Sequence, residues 1–265
     1  MSTTAVEYDL ALKLAEFKIN GHVVFEGLIP LEKIDRIRDA FMPLLEEVRR
    51  RADPVESGDR RIGRGRLQNV NRYTADVPWQ DPFADPDIYE NPTLLAFLER
   101  YWGTADFTIT CYHSNNPYPG SEYQRWHRDM SNLQPHVGLQ VCPHFGVKFP
   151  LVDTSEENGS FELIPCTQYL ADPDLQSRYN DIIEASDNFT KRRLNLKKGD
   201  LWIQDPRALH RGTPNRSDYP RPELVICYSR PWYSIPRDLE LTPAEFARLS
   251  DRGKKLLSRA RIIPE

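Results

Sequence analysis

His127 and Asp129 stand two residues apart, and a second histidine, His210, lies further along the chain. In a strand, residues i and i+2 point to the same face, so a strand over residues 123–129 would turn the imidazole and the carboxylate into one cavity. His210 could reach that cavity from another strand. Two imidazoles and one carboxylate on one face of a metal form the facial triad of non-haem Fe(II) oxygenases, which leaves positions open for other ligands. The pattern therefore predicts Fe(II) bound by His127, Asp129 and His210.

A His-x-Asp triplet alone is weak evidence, because such motifs occur by chance. Two later segments strengthen it. Residues 157–165, Glu-Asn-Gly-Ser-Phe-Glu-Leu-Ile-Pro, are typical of a turn that leads into a strand. Eleven residues after His210 stands Arg221, with Pro-Asn-Arg-Ser between them. These segments place further polar groups near the predicted metal site.

With these motifs the sequence resembles the phytanoyl-CoA dioxygenase family of Fe(II)- and 2-oxoglutarate-dependent oxygenases, from about residue 17 to residue 233. Residues 20–28 resemble the family's opening strand, and residues 88–103 resemble the helix before its barrel. The segments Trp-His-x-Asp, Gly-Ser-x-x-x-Ile-Pro and His-x-Gly-x-x-Asn match in order. One departure follows Ile-Pro, where the family has Gly-Ser-His and this chain has Cys-Thr-Gln at residues 166–168. The resemblance implies a double-stranded β-helix.

The resemblance also implies how the co-substrate binds. 2-Oxoglutarate would chelate iron through its keto acid end, and Arg221 would pair with its distal carboxylate, since a planar guanidinium grips a carboxylate with two hydrogen bonds. Arg211 and Arg216 are the alternatives. Arg211 follows a ligand on a predicted strand, so its side chain should point the opposite way, and Arg216 lies in a turn where we expect it to be solvated. Gln124 and Thr213 are candidate hydrogen-bond partners of 2-oxoglutarate.

The carboxylate of Asp129 favours hydroxylation over halogenation, because related halogenases have Gly or Ala at this position. Hydroxylation of an unactivated C–H bond with O₂ would convert 2-oxoglutarate to succinate and CO₂. Desaturation, cyclisation, epimerisation and deoxygenation use the same oxidant and stay open. So do a cupin-like enzyme without 2-oxoglutarate, in which Arg221 has no role, and a non-catalytic relative that binds a metabolite or a partner.

The substrate pocket has three candidate residues, His113, Trp126 and Arg66. Arg66 belongs to an arginine-rich run over residues 60–66, within a stretch, residues 52–91, that is rich in Pro, Asp, Arg and Gly. Such a stretch is either a solvated loop or a lid over the cavity, with an arginine meeting an acidic substrate group. We expect the substrate to be a small molecule of a bacterial specialised pathway, and a CoA- or carrier-bound acyl group is the second hypothesis.

Composition indicates an ordinary soluble domain with 39% hydrophobic and 28% charged residues. The net charge of −4 provides no basic field for nucleic acid. No apolar run reaches the length of a membrane span, and no signal segment is seen, so a cytoplasmic protein is expected. The four cysteines form no Cys-x-x-Cys pair and are expected to be reduced thiols. The oligomeric state stays open.

The predicted fold is mainly β with flanking helices around a jelly-roll core. We expect one domain over residues 1–265, with a helical N-terminal part to about residue 105, a β-helix core over about 106–233 and a C-terminal helix over about 242–260. Apolar residues at helical spacing predict helices from Val6 to Gly21, after Pro30 and between Asn91 and Gly103. Short alternating segments predict strands at 107–111, 138–141, 147–152, 161–164, 201–204 and 224–228.

Overall fold

The computed structural model describes residues 7–52, 60–62, 65–131, 133–134, 137, 140–171, 178–233 and 239–264, with the side chains of 60–62 and 65–67 left out. Within these ranges most strands belong to one antiparallel sheet of eight, the main sheet. Its order is β1 (His22–Phe25), β9 (Leu201–Gln204), β6 (His144–Pro150), β11 (Glu223–Ser229), β5 (Thr108–Pro117), β4 (Arg72–Ala75), β3 (Gly65–Asn69) and β2 (Arg60–Ile62). One half of the sheet, from β1 to β5, joins strands that are distant in the sequence, whereas β5, β4, β3 and β2 are neighbours in chain order.

A second sheet faces the main sheet. This small sheet has the order β10 (His210–Arg211), β7 (Phe161–Leu163) and β8 (Arg192–Leu194). The ring of Phe161, on the small sheet, lies 4.9 Å from the ring of Trp202 on β9, and it stacks 5.1 Å from the ring of His210. Two antiparallel sheets therefore enclose a cavity, and the predicted mainly β, double-stranded β-helix fold is confirmed.

The first helices begin and end where local chemistry dictates. α1 (Leu10–Asn20) starts after Asp9, whose carboxylate accepts hydrogen bonds from two backbone N–H groups, and it ends at Gly21 in the left-handed region with φ +73°. Val6, the predicted start, lies outside the described residues. α2 (Leu31–Ala52) follows Pro30 as predicted and continues through Pro43.

Two further helices precede the core strands. α3 (Pro86–Tyr89) is a short helix, and α4 (Pro92–Trp102) begins at the predicted cap Asn91, whose side-chain oxygen accepts from the next two free N–H groups. Gly103 ends α4 with φ +68°. After 3-10 helix Thr167–Tyr169 and α5 (Tyr179–Glu184), the chain closes with α6 (Pro243–Ala247), α7 (Asp251–Leu256) and the parallel pair β12 (Glu240–Leu241) and β13 (Arg261–Ile262). Thr242 and Glu245 form a capping box at the start of α6, and the C-terminal helix predicted over about 242–260 is divided into α6 and α7.

The largest core lies between the main sheet and the helices. Phe17 of α1 packs edge-on against Phe97 of α4 and Phe145 of β6, at 5.7 and 5.1 Å between ring centroids. The buried face of α2 carries Ile34, Ile37, Phe41, Leu45 and Val48. Burying such side chains contributes about 1.5–3 kcal/mol each, so the helices hold the sheet from outside and leave its other face to the cavity.

The prediction of a strand over residues 123–129 is wrong. In the structure this segment is irregular and meets the small sheet only at an isolated bridge between His127 and His210. Side chains replace the missing ladder. The backbone N–H of Trp126 donates to the side chain of Asn180 at 3.1 Å, and the N–H of Gly212 donates to the side chain of Gln124 at 2.8 Å. Backbone groups that bond to side chains cannot extend a strand.

The prediction that residues 52–91 form an irregular loop is also wrong where the structure describes them. β2, β3 and β4 extend the main sheet, and α3 lies at the end of the stretch. Pairing between neighbouring strands gives this stretch a regular structure that its composition does not predict. The strand predicted at residues 138–141 does not form at 140–141, while 138–139 lie outside the described residues. None of the described helices combines the length and the apolar character needed to cross a membrane.

Candidate metal centre

Three ligand-type side chains meet at one end of the cavity. We call His127, Asp129 and His210 the His–Asp–His cluster, and their nearest ligand atoms all lie within 4.8 Å of one another. Asp129 Oδ1 lies 3.7 Å from His127 Nε2, and Asp129 Oδ2 lies 3.4 Å from His210 Nε2. Donors bound to one metal at about 2.0–2.2 Å lie roughly 3 Å apart, so these donors are close to a coordinating arrangement.

Backbone bonds hold the cluster in place. His127 and His210 exchange both N–H···O bonds, each at 3.0 Å, so the two histidines stand side by side. The N–H of Asp129 donates to the carbonyl of Pro206 at 2.9 Å. The two segments that carry the ligands are thus tied together at each ligand, although no regular strand joins them there.

The segment that leads to His210 is anchored by a buried ion pair. Arg207 and Asp205 are 2% and 2% exposed, and the guanidinium forms two hydrogen bonds to the carboxylate, at 2.9 and 2.7 Å. Arg207 also donates to the carbonyl of Gln140 at 2.8 Å. Such a two-point bond fixes geometry as well as charge, so Pro206, between the pair, presents its carbonyl to Asp129 in a fixed position.

Both imidazoles turn Nε2 toward the cavity and Nδ1 toward a backbone carbonyl. Nδ1 of His127 lies 2.8 Å from the carbonyl of Arg125, and Nδ1 of His210 lies 2.8 Å from the carbonyl of Ala208. Nε2 of each ring faces Asp129 instead. A proton on Nδ1 that is donated to a backbone carbonyl leaves the Nε2 lone pair free for a metal ion.

The protonation states suit cation binding. Burial lowers the pKa of His127 to about 4, with a further contribution from His210. Burial alone would raise the pKa of Asp129, but the neighbouring His210, Lys148 and His127 outweigh it and hold this pKa well below its usual value. The Asp129 side chain is 54% exposed, with its open surface on the cavity. At neutral pH the cluster therefore offers one carboxylate and a neutral His127 imidazole.

The cavity has a volume of about 460 Å³ and is lined by both sheets. Besides the His–Asp–His cluster, it is lined by Phe161 of the small sheet and by side chains on the inner faces of β5, β6, β9 and β11. Because the lining is largely polar, the cavity suits a ligand with several hydrogen-bonding or charged groups.

Two arginines and a glutamate lie at another part of this cavity. Arg221 is 2% exposed, and its nearest carboxylate is Glu223, at 3.8 Å. Arg72 is 3% exposed and donates to the carbonyls of Glu122 and Thr213, at 3.2 and 2.9 Å. Within the described chain, Nε of neither arginine has a hydrogen-bond partner. Burial, and then the charge of Arg221, lower the pKa of Arg72 to about 9. This positive region suits an anion.

Gly212 allows these groups to pack closely. A Cβ at this position would lie 2.6 Å from the guanidinium carbon of Arg72 and 2.6 Å from Oε1 of Gln124. Both side chains line the cavity. The glycine of the His-x-Gly motif is therefore needed because two polar side chains approach the backbone, not because of its φ.

The predicted site residues have different surroundings. Arg221, Gln124 and His113 line the cavity with the His–Asp–His cluster. Thr213 is not among the lining residues that the structure describes, because its hydroxyl donates to the carbonyl of Ser160 at 2.8 Å and accepts from Arg193 at 2.7 Å.

Trp126 packs behind the metal ligands, in a cluster with Ile164 and Leu209. Its indole N–H donates to Glu184 at 2.7 Å, which turns it away from the cavity. Arg66 lies on β3 by its backbone, opposite Thr74, and its side chain lies outside the described part of the chain. The structure thus places Trp126 apart from the cavity.

The two alternative arginines lie away from the cavity, as predicted. Arg211 pairs with Glu162 and Glu184, both at 2.6 Å, and stacks over the ring of Trp126 at 4.4 Å. Arg216 is exposed in its turn. Of the three arginines weighed for the co-substrate, Arg221 is the one that lines the cavity.

Sequence reasoning missed three charged residues of the cavity: Lys148, Glu223 and Arg72. Lys148 is 4% exposed, bonds to the side chain of Gln204, and lies 4.5 Å over the ring of Trp202. Burial lowers its pKa, although Glu223 and Asp129 oppose this. The sequence did contain a signal for Lys148, since a lysine inside the apolar run of a predicted strand is rarely buried without a partner.

Comparison with known families gives one match, in which the model of the phytanoyl-CoA dioxygenase family covers residues 17–222. This range contains the His–Asp–His cluster, Arg72 and Arg221. It ends one residue before Glu223, so most of the cavity lining falls within the matched segment.

Several solved structures have a similar fold. AviO1 from Streptomyces viridochromogenes Tue57 is 19% identical, with 88% of this chain and 99% of that chain covered and a TM-score of 0.61. HygX from Streptomyces hygroscopicus, solved with nickel and 2-oxoglutarate, is 16% identical, with 87% and 90% covered and a TM-score of 0.57. The epimerase SnoN, in complex with Fe³⁺, alpha-ketoglutarate and nogalamycin RO, is 18% identical, with 83% of each chain covered and a TM-score of 0.55. At these identities the likeness shows a shared fold.

Proposed function

Since the chain belongs to the phytanoyl-CoA dioxygenase family, whose members use Fe(II), 2-oxoglutarate and O₂, we propose that it hydroxylates an unactivated C–H bond of a small molecule. The substrate would belong to a specialised biosynthetic pathway, and succinate and CO₂ would be released. The observation that carries this proposal is the convergence of His127, Asp129 and His210 at a polar cavity that also contains Arg221.

In this proposal the three side chains of the His–Asp–His cluster hold Fe(II). Two imidazole nitrogens and one carboxylate oxygen are the donor set that suits this ion. The carbonyl of Arg125 orients the His127 ring by accepting its Nδ1 proton, and Nδ1 of His210 is held at 2.8 Å from both the carbonyl of Ala208 and the amide nitrogen of Gln204, so each Nε2 is directed at the metal position. Bound Fe(II) supplies the oxidising chemistry, with 2-oxoglutarate and O₂ as its co-substrates.

Arg221 binds the distal carboxylate of 2-oxoglutarate. Its guanidinium is buried, its Nε has no partner among the described residues, and its nearest carboxylate, Glu223, lies at 3.8 Å, beyond hydrogen-bond distance. A carboxylate ligand would satisfy these groups and offset the cost of burying the charge. Arg72 adds positive charge beside it, and Gln124 offers an amide to the same ligand. The cupin-like reading leaves this buried cation without a role.

The family and the cavity support hydroxylation of a small molecule more than of a large one. A cavity of about 460 Å³ accommodates a compact ligand. The similarity to SnoN, a structure from nogalamycin biosynthesis, supports a specialised pathway. It also keeps epimerisation as the second candidate, because SnoN is an epimerase of the same fold.

The test is succinate formation from 2-oxoglutarate by Fe(II)-loaded protein exposed to O₂. We expect slow metal-dependent turnover without substrate, stimulation by pools of candidate metabolites, and loss of both in His210→Ala. Arg221→Ala should raise the KM for 2-oxoglutarate. The matched control is Arg216→Ala, which removes an exposed arginine five residues away and should behave as the unmodified protein.

Product analysis separates the two candidate reactions. A hydroxylated product gains one oxygen atom, and ¹⁸O₂ labels it, whereas an epimerised product keeps its composition. If folded protein neither consumes 2-oxoglutarate nor binds it in calorimetry, with or without metabolite pools, the proposal is wrong and a non-catalytic or cupin-like role takes its place.

A further inference from the structure

A second group of metal-ligand side chains lies in the same cavity and has no part in the proposed reaction. Cys111, His113 and Cys227, here called the Cys–His–Cys cluster, each offer one ligand atom, and these atoms lie within 4.8 Å of one another. All three line the cavity. The sequence separates Cys227 from the other two by more than a hundred residues, so only the fold reveals the group.

The register of the main sheet brings the cluster together. Cys111 on β5 stands directly opposite Cys227 on β11, and His113 follows two residues after Cys111, on the same face of its strand. Cys111 Sγ lies 3.5 Å from His113 Nδ1. Paired strands hold all three residues, so their spacing is set before any metal binds.

The donor set and its dimensions suit zinc. Thiolates and imidazole are the ligands that Zn²⁺ selects in tetrahedral sites, with bonds of about 2.3 Å to sulfur and 2.0–2.1 Å to nitrogen. Those bonds place a sulfur and a nitrogen donor roughly 3.5 Å apart in a tetrahedron. The observed 3.5 Å between Cys111 and His113 agrees with this spacing.

The fourth direction is open to the cavity. Gly146 on β6 is the cross-strand neighbour of Cys227 on the side away from Cys111, and it also lines the cavity. A Cβ at Gly146 would lie 3.3 Å from Cε of Lys148 and 3.4 Å from Val225. The glycine thus lets the side chains of Lys148 and Val225 pack close to this part of the cluster, which faces the cavity. Three protein ligands with one open position are the arrangement of zinc sites that also bind water or a substrate.

The other two cysteines have different surroundings, which makes them controls. The Cys142 thiol donates to the carbonyl of His144 at 3.0 Å, and the Cys166 thiol donates to the carbonyl of Ile19 at 3.0 Å. Cys166 is exposed and Cys142 is buried. Neither belongs to a group of three metal-ligand side chains among the described residues.

We propose that Cys111, His113 and Cys227 form a second metal site that binds Zn²⁺, with its fourth position open to an oxygen or nitrogen donor of a small molecule in the cavity. The proposal goes beyond the proposed iron chemistry and does not depend on it, because none of its ligands belongs to the His–Asp–His cluster.

The experiment uses Co²⁺ as a spectroscopic substitute for Zn²⁺. Metal-free, reduced, full-length protein, with all four thiols counted, is titrated with Co²⁺ under anaerobic conditions. We expect an intense near-ultraviolet band from thiolate-to-cobalt charge transfer, which one equivalent of Zn²⁺ removes. The band should persist in His210→Ala and Cys166→Ser, and it should be lost in Cys111→Ser and Cys227→Ser.

Two results would overturn this second site: no charge-transfer band in the fully reduced protein, or a band that persists in both cysteine variants of the cluster. A band that excess Zn²⁺ does not remove would overturn the zinc assignment. If the serine variants do not fold, His113→Ala serves instead, since His113 is only half-buried, and an unchanged spectrum would contradict the proposal. The band does not depend on 2-oxoglutarate turnover, so failure of the iron chemistry would leave this test intact.

Discussion

The cavity has two metal-ligand clusters on opposite sheets, and they are built differently. The His–Asp–His cluster lies where an irregular segment meets a two-residue strand through one bridge. The Cys–His–Cys cluster lies in the middle of two long paired strands of the main sheet. By side chain, His127 and Asp129 are 36% and 54% exposed and His210 is 4% exposed, whereas Cys111 and Cys227 are buried and His113 is half-buried.

This difference separates two ways of positioning ligands. Strand pairing positions the Cys–His–Cys cluster, and its register is set by backbone bonds along the whole sheet. The His–Asp–His cluster is positioned by a few backbone bonds at the ligands themselves and, around them, by individual side chains, among them Gln124, Asn180 and the pair of Asp205 with Arg207. A site held by single side chains leaves its ligands open to small molecules, but each of those side chains then matters individually.

Of the substitutions that test this comparison, Gly212→Ala should have the largest effect on stability and on the KM for 2-oxoglutarate. The added methyl group would displace the buried guanidinium of Arg72 and the amide of Gln124, and each hydrogen bond lost by a buried charged group costs about 1.5–3 kcal/mol. We expect lower stability in urea unfolding together with at least a tenfold higher KM for 2-oxoglutarate. Gly103→Ala is the control: it strains a left-handed position at a helix end, so it should cost about 1 kcal/mol and leave the KM unchanged. Equal KM values for the two variants would contradict the close packing described at Gly212.

A second prediction concerns pH and the edge of the main sheet. Burial lowers the pKa of His22 on β1 to about 4, from an ordinary value of 6.5. The unfolded chain therefore takes up this proton as pH falls below 6.5 and the folded chain does not, so stability falls between pH 6.5 and about 4. The full loss is roughly 3 kcal/mol for this one group.

Urea unfolding at several pH values measures this loss of stability. His22→Gln should flatten the stability curve over this window, while the pKa of His127, also about 4, keeps part of the slope. His127 is more exposed, so solvent weakens its share of the slope. Bound metal competes with the proton for His127 in the folded chain, so it should extend that share to lower pH. An unchanged slope in His22→Gln would show that His22 is not the buried neutral group described here.

The smallest effect should come from Asn180→Ala, which tests whether single side chains hold the irregular segment. Its side chain accepts the N–H of Trp126, next to the ligand His127, at 3.1 Å. Loss of this acceptor leaves a backbone donor unsatisfied, at a cost of about 1 kcal/mol. We expect weaker metal binding along with that small loss of stability. Asn188→Ala, in an exposed residue eight positions on, is the control, and metal affinities that do not differ between these variants would contradict the role of Asn180.

The parts of the fold that the sequence predicts well are those governed by neighbours in the chain. Asn91, Pro92 and Gly103 mark the ends of α4 because capping and left-handed conformations involve residues within one turn. β9 has the predicted bounds, Leu201–Gln204, because it follows a turn and three of its four buried residues are apolar. The convergence of His127, Asp129 and His210 is also predicted, because the motifs around His127 and His210 are short and occur in a fixed order.

Where the predicted secondary structure is wrong, hydrogen bonds to other segments of the chain determine the observed structure. A strand is predicted over residues 123–129 because it would place His127 and Asp129 on one face, yet the side chains of Asn180 and Gln124 take part in the hydrogen bonds that a strand would have used. The arginine-rich stretch resembled a loop, but β3 and β4 pair there and join β5. The bond to Asn180 and the pairing of β4 with β5 cannot be read from a local window, because those partners lie tens of residues away. β2, β3 and β4 pair within the stretch itself, but its composition does not predict those strands.

The sequence by itself therefore determined the type of chemistry, through two histidines, one carboxylate and an arginine in recognisable motifs, and it determined the helices that cap themselves. Only the tertiary structure decided which charged groups share the cavity. Arg72, Lys148 and Glu223 come from three strands, and Cys111 meets Cys227 through the register of β5 and β11. The physical reason is that ligand identity belongs to a residue, whereas burial and proximity depend on how distant strands pair.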